Sequence, residues 1–117
     1  MTDHDIRPAA DSPVGVVERQ IAAYNTHDLD AFAATYTKDI RVVRRDGSEA
    51  LGREALRETY APQFAEGRCR AEIVGRLAEG DWVVDHEVAH GVADEPVRLL
   101  VAYRVRGGLI DRVEFLG

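Results

Sequence analysis

The chain has 117 residues, the size of one domain built around one core. Its hydrophobic content of 45% and charged content of 31% exclude a disordered chain, and its net charge of −6 disfavours nucleic acid, a polyanion, as a partner. No apolar run approaches the roughly 20 residues of a membrane-crossing helix, so no membrane partner is expected.

Residues 1–12 are polar, carry Asp3, Asp5 and Asp11, and read as a flexible arm ahead of a single α+β domain over 13–117. They contain no apolar core of a signal peptide. Ser12-Pro13 suits a helix start, with Ser12 as cap. Val14, Val17, Ile21 and Tyr24 then recur at three- and four-residue spacing and define one apolar helix face. The helix is expected to stop near Asn25-Thr26-His27. Asp28 caps a second helix, buried through Leu29, Phe32, Ala33 and Tyr36.

Ile40 to Arg45 alternates β-branched and charged residues and predicts a strand, followed by an Asp46-Gly47 turn. A third helix is expected from Arg53 to about Ala61, with Leu56 and Tyr60 inward. Pro62 should end or kink it, because proline lacks the amide hydrogen and crowds the preceding turn. From Arg68 onward the period changes to two, which predicts strands at about 69–78, 82–91, 97–106 and 109–116. The connections between them are short enough to force antiparallel neighbours. Cys69 is the only cysteine and has no intramolecular partner, so a reducing, cytoplasmic location is expected.

Alternation also predicts facing. In 82–90 the even set, Trp82, Val84, His86, Val88 and His90, is the more apolar and is expected inward, with Asp85 and Glu87 outward. In 97–105 the odd set, including Val101 and Tyr103, is expected inward. In the last strand Val113 and Phe115 should face in, which carries Asp111 inward too, although Ile110 competes for that side. Asp85 and Glu87 would then pair with Arg98 and Arg104 outside. Together with Leu100 and Ala102 they would form a dimer face. The arginines at 41, 44, 45, 104 and 106 otherwise read as solvated strand faces.

The order of elements, with Val16-Val17-Glu18-Arg19-Gln20-Ile21-Ala22-Ala23-Tyr24-Asn25, Asp28-Leu29-Asp30, Gly52-Arg53-Glu54-Ala55-Leu56-Arg57-Glu58-Thr59-Tyr60 and the closing hairpin Tyr103 to Phe115, resembles the nuclear-transport-factor-like superfamily. That group includes ketosteroid isomerases and SnoaL-type polyketide cyclases. The resemblance implies a cone-shaped roll: three N-terminal helices packed on a strongly curved, mostly antiparallel sheet around an apolar cavity. It also implies pairing through the sheet. Matched to the ketosteroid isomerase pattern, Gln20 falls at the oxyanion-hole tyrosine, Arg44 at the aspartate base and Val101 at the protonated aspartate. Arginine is no base near neutral pH and valine has no proton to give, so that chemistry is not expected.

His86, centred on its strand, is the leading candidate acid–base group, and Asp111 is a candidate base beside it. The plainer readings are a core histidine satisfied by Tyr24, Tyr60 or Gln20, and an aspartate seated at the Gly107-Gly108 turn. Arg44 would orient a ligand at the cone mouth or snorkel into water. Gln20, Tyr24, Tyr36, Tyr60, Trp82, Val84, Val101, Tyr103 and Phe115 complete the expected ligand-binding wall. His86 and His90 stand roughly 13 Å apart along a strand, and no metal or cofactor is expected. Three functions stay open. One is a SnoaL-like isomerase, cyclase or lyase acting on a small apolar or polyketide-like compound with an anionic or carbonyl end. The others are a non-catalytic ligand-binding or protein-interaction module that dimerises through its sheet, and a structural dimerisation domain with a filled cone.

Overall fold

The computed structural model describes residues 11–117, so the arm expected at 1–12 lies almost wholly outside the described residues. Helix α1 runs Pro13–Asn25. It starts where proposed: the Ser12 hydroxyl accepts the Gly15 amide at 3.1 Å, and proline at the first position has no amide to leave orphaned. Helix α2, Leu29–Ala33, is a single turn capped by the Asp28 carboxylate, which accepts the Ala31 amide at 3.1 Å. Helix α3, Arg53–Glu66, passes through Pro62 instead of ending there. Phe64 explains the continuation. Its buried ring packs edge-on against Tyr24 at 5.5 Å and Phe32 at 5.1 Å, holding the last turn on the core despite the missing hydrogen bond.

The strands are β1 Tyr36–Val43, β2 Glu49–Leu51, β3 Arg70–Glu79, β4 Trp82–His90, β5 Val97–Arg106 and β6 Leu109–Phe115. They form one sheet in the order β2-β1-β6-β5-β4-β3. Only the β1–β6 pair is parallel. The sheet curves around the helices, giving the α+β cone expected from the sequence. β1 begins four residues earlier than its alternation indicated, and β2 is too short to carry a periodic signal. At the far end of β4, Gly91 lies against β3's entry: a side chain there would meet the Arg68 carbonyl oxygen at 1.9 Å, and φ is +77°.

Facing departs from the sequence reading on two strands. In β4 the odd residues Val83, Asp85, Glu87 and Ala89 are the buried, concave set. Cross-strand register decides this. Val83 pairs with Tyr103, Asp85 with Val101 and Glu87 with Leu99, so odd residues of both strands share a face. Once Val101 and Tyr103 face inward, Asp85 and Glu87 must as well, and Trp82, Val84 and His86 must face outward. In β6, a bulge between Arg104 and Val105 absorbs one residue: Arg104 pairs with Arg112 but Val105 pairs with Ile110. Ile110 and Val113 are therefore buried and Asp111 turns out.

Candidate acid–base cavity

Six elements meet at a cavity of about 60 Å³ between the helices and the concave sheet face. Gln20 and Tyr24 come from α1, Tyr60 from α3, Glu87 from β4, Tyr103 from β5 and Phe115 from β6. Ile21, Ala71, Ala89 and Leu99 supply the aliphatic remainder. A void this size holds a few waters or the reacting end of a small molecule.

Glu87 is the one titratable acid in the lining. Its Oε2 accepts the Tyr103 hydroxyl at 2.7 Å. Among the described residues it has no ion-pair partner. Burial pushes its pKa up to about 7, the nearby Asp85 charge adds to the rise, and the Tyr103 bond and Arg76 oppose it. All four tyrosines of the chain, Tyr24, Tyr36, Tyr60 and Tyr103, feel the Glu87 charge, but burial is the larger reason their pKa values rise. Tyr60 reaches about 12. These phenols stay protonated at neutral pH and act as donors.

The donors are unevenly committed. Tyr24 donates to Gln63 Oε1 at 2.9 Å and Tyr103 to Glu87, while the Tyr60 hydroxyl has no hydrogen-bonded partner among the described residues. Gln20 is buried and its Oε1 has no donor among the described residues.

Behind Glu87, on the same face of β4, Asp85 is fully buried and gripped by Arg76 through two bonds of 2.6 and 3.0 Å. Arg76 also donates to Glu18 on α1 at 3.1 Å, and its bond to Asp85 raises its own pKa. The fork satisfies both carboxylate oxygens, which a buried aspartate requires.

Of the residues proposed from sequence, Gln20, Tyr24, Tyr60, Tyr103 and Phe115 line the cavity. Tyr36 and Val101 are buried in the adjoining core. Arg44 is exposed at the end of β1, with its guanidinium on the Ser48 hydroxyl at 3.3 Å. It is near enough to Tyr60 to oppose that residue's pKa rise, but it is not in the lining. His86, Val84 and Trp82 lie on the convex face, where Trp82 stacks under Arg104 at 5.8 Å. Asp111 accepts from Arg104 at 2.8 Å on that same outer side. Neither His86 nor Asp111 reaches the cavity. Sequence reasoning missed Glu87. The signal available was register: a glutamate on the parity that pairs with inward-facing β5 residues, close to a tyrosine able to bond it.

A curved, mostly antiparallel sheet closed by three helices over one internal cavity defines the nuclear-transport-factor-like class of α+β proteins. Within that class the chain belongs to the SnoaL-like family, whose domain model matches residues 17–113. No curated protein sequence matches it. Among solved structures it is similar to an uncharacterised cystatin-fold protein from Novosphingobium aromaticivorans. That likeness has a TM-score of 0.79 and 27% identity over 91% of this chain and 98% of the other. It is also similar to a provisionally assigned polyketide cyclase from Sinorhizobium meliloti, with TM-score 0.74, 22% identity and coverage of 86% and 92%. A provisionally assigned ketosteroid isomerase from Kribbella flavida gives TM-score 0.76, 18% identity and coverage of 89% and 76%. The last two likenesses speak to fold alone. Among the described residues, no helix is long and apolar enough to cross a membrane.

Proposed function

We propose that this chain is a small-molecule enzyme of the isomerase or cyclase type that moves a proton within its cavity, with Glu87 as the acid–base group. The observation that carries the reading is a buried carboxyl facing an internal cavity, held by one tyrosine and lacking a cation. A pKa of about 7 places that carboxyl between its two forms at neutral pH, where a group serves equally as base and as acid.

The ionised carboxylate takes a proton from a carbon next to a substrate carbonyl. The C–H electron pair becomes the enolate C=C, and the carbonyl electrons move onto oxygen. The uncommitted Tyr60 hydroxyl is the donor for that oxygen. Protonated Glu87 then returns the proton to a different carbon, which isomerises the substrate. Alternatively the enolate carbon attacks a second carbonyl, and the new alkoxide takes the proton, which closes a ring. Both outcomes regenerate the carboxylate.

Hydrogen–deuterium exchange at the α-carbons of 2-butanone and hydroxyacetone, followed by proton NMR in D₂O, tests this. Protein-dependent exchange should rise with pH through about 7. It should fall by about 10²–10⁴-fold in Glu87→Gln, the usual contribution of a positioned acid–base group. Exchange at the buffer rate for both ketones removes the reading.

We also propose self-association of two copies through the convex sheet face, where Leu77, opposite Val84, and Leu100, opposite His86, are 75% and 40% exposed. Asp85, expected there from sequence, is buried on the other side and takes no part. A monomer in sedimentation at micromolar concentration would exclude it.

A further inference from the structure

We propose that the cavity selects an uncharged hydroxy-carbonyl compound, an α-hydroxy ketone or the equivalent end of a larger molecule, with Gln20 Oε1 accepting its hydroxyl proton. The proposal takes from the preceding reading only that Glu87 faces the reacting carbon.

Gln20 is 5% exposed, lines the cavity, and presents an oxygen that no donor among the described residues reaches. A buried amide oxygen left without a donor is unfavourable, so whatever fills the void gains by supplying one. The described lining cannot supply it: Tyr24 is committed to Gln63 and Tyr103 to Glu87, Tyr60 does not reach Gln20, and Tyr36, in the adjoining core, accepts from the Gln20 side chain and so leaves Oε1 as the free end of the amide. A pure hydrocarbon or a simple ketone would enter and leave Oε1 orphaned.

Charge narrows the class further. Among the described residues, no lysine, arginine or histidine lines the cavity. Arg76, the closest cation behind it, is shared between Asp85 and Glu18, and Arg44 sits outside on Ser48. A carboxylate or phosphate would meet Glu87 with nothing to balance it. A void of about 60 Å³ lined by both Gln20 and Glu87 suits a compound whose hydroxyl and acidic C–H share one carbon, next to the carbonyl. In such a substrate Glu87 removes the C–H proton and the carbonyl oxygen gains one from the Tyr60 side, giving an enediol. Protonated Glu87 then delivers its proton to the former carbonyl carbon while the original hydroxyl gives its proton up to restore the Tyr60 phenol, which moves the carbonyl by one position and regenerates both groups.

Titration of the protein with hydroxyacetone, 2-butanone, glycolate and ethylammonium, followed by nitrogen–proton NMR, tests the proposal by binding alone. Hydroxyacetone should bind at least about tenfold more tightly than 2-butanone, equivalent to about 1.4 kcal/mol, and should shift the Gln20 side-chain amide signals. Gln20→Met, which keeps the side-chain length but removes the acceptor, should abolish that ratio. Equal affinity for the two ketones, tighter binding of glycolate or ethylammonium, or no binding of any probe would overturn it. Should Gln20→Met fail to fold, unchanged Gln20 signals at saturating hydroxyacetone in the unaltered protein would overturn it as well. A retained tenfold preference without isotope exchange would remove the proton-transfer reading and leave this one standing.

Discussion

Two arginine–aspartate forks sit on opposite faces of the same sheet. Arg76 holds Asp85 on the concave side with bonds of 2.6 and 3.0 Å, and Arg104 holds Asp111 on the convex side with bonds of 2.8 and 3.4 Å. Their chemistry is the same, but the aspartate side chain is 0% exposed in the first and 22% in the second. On the convex side water can replace a lost partner. On the concave side nothing can, and the pair becomes a condition for folding. The same contrast separates Glu87 from the convex His86. A titratable group gains unusual chemistry from being closed off from water, and only the concave face closes any off.

The largest effect that would break this comparison comes from Arg76→Met. It leaves Asp85 buried and unpaired and is expected to lower stability by about 3–5 kcal/mol in urea denaturation. Adding Asp85→Leu to that variant should recover much of the loss, because it removes the stranded charge. A loss no greater than that of a surface substitution would mean Asp85 is not closed off.

Glu87→Gln comes next, with a sign that depends on pH. The folded carboxyl has a pKa of about 7 against 4.5 unfolded, so the folded state binds more protons between those values. Stability of the unaltered protein therefore falls as pH rises from about 4.5 to 7 and is flat above. Glutamine keeps the acceptor for Tyr103 without the charge. The variant should match the unaltered protein below pH 4.5 and exceed it by about 3 kcal/mol at pH 8. Melting curves of both proteins across that range decide it, and parallel profiles would show that Glu87 titrates normally.

The smallest effects belong to the convex face. Asp111→Asn and His86→Ala should leave the urea midpoint and the isotope-exchange rate indistinguishable from those of the unaltered protein. A large loss of exchange in either would return catalysis to the residues the strand alternation first indicated.

How much of this was legible in advance varies by element. The Ser12-Pro13 start, the Asp28 cap and the last three strand boundaries follow from local chemistry, since capping and period need only neighbours in the chain. The family likeness rests on those local features, and with it the cone and part of its lining, including Gln20, Tyr24, Tyr60 and Tyr103. Helix α3 outlasting Pro62 was not legible, because Phe64 holds that turn through rings on two other helices.

The acid of the site was hidden for a related reason. Composition favours the apolar parity of β4 as the inner one, and on an isolated strand that inference is sound. The face is set by pairing with β5, and two inward acids are tolerated because their partners come from elsewhere. Asp85 is met by Arg76 nine residues back, Arg76 in turn by Glu18 on α1, and Glu87 by Tyr103 sixteen residues on. Sequence by itself determined most of the helices and strands, β2, the start of β1 and the last turn of α3 excepted, and through the family likeness the α+β cone. Which carboxylate the cone encloses was decided only in three dimensions. Strand facing follows from register, a bulge of one residue reverses it, and burial of a charge depends on distant groups that satisfy it.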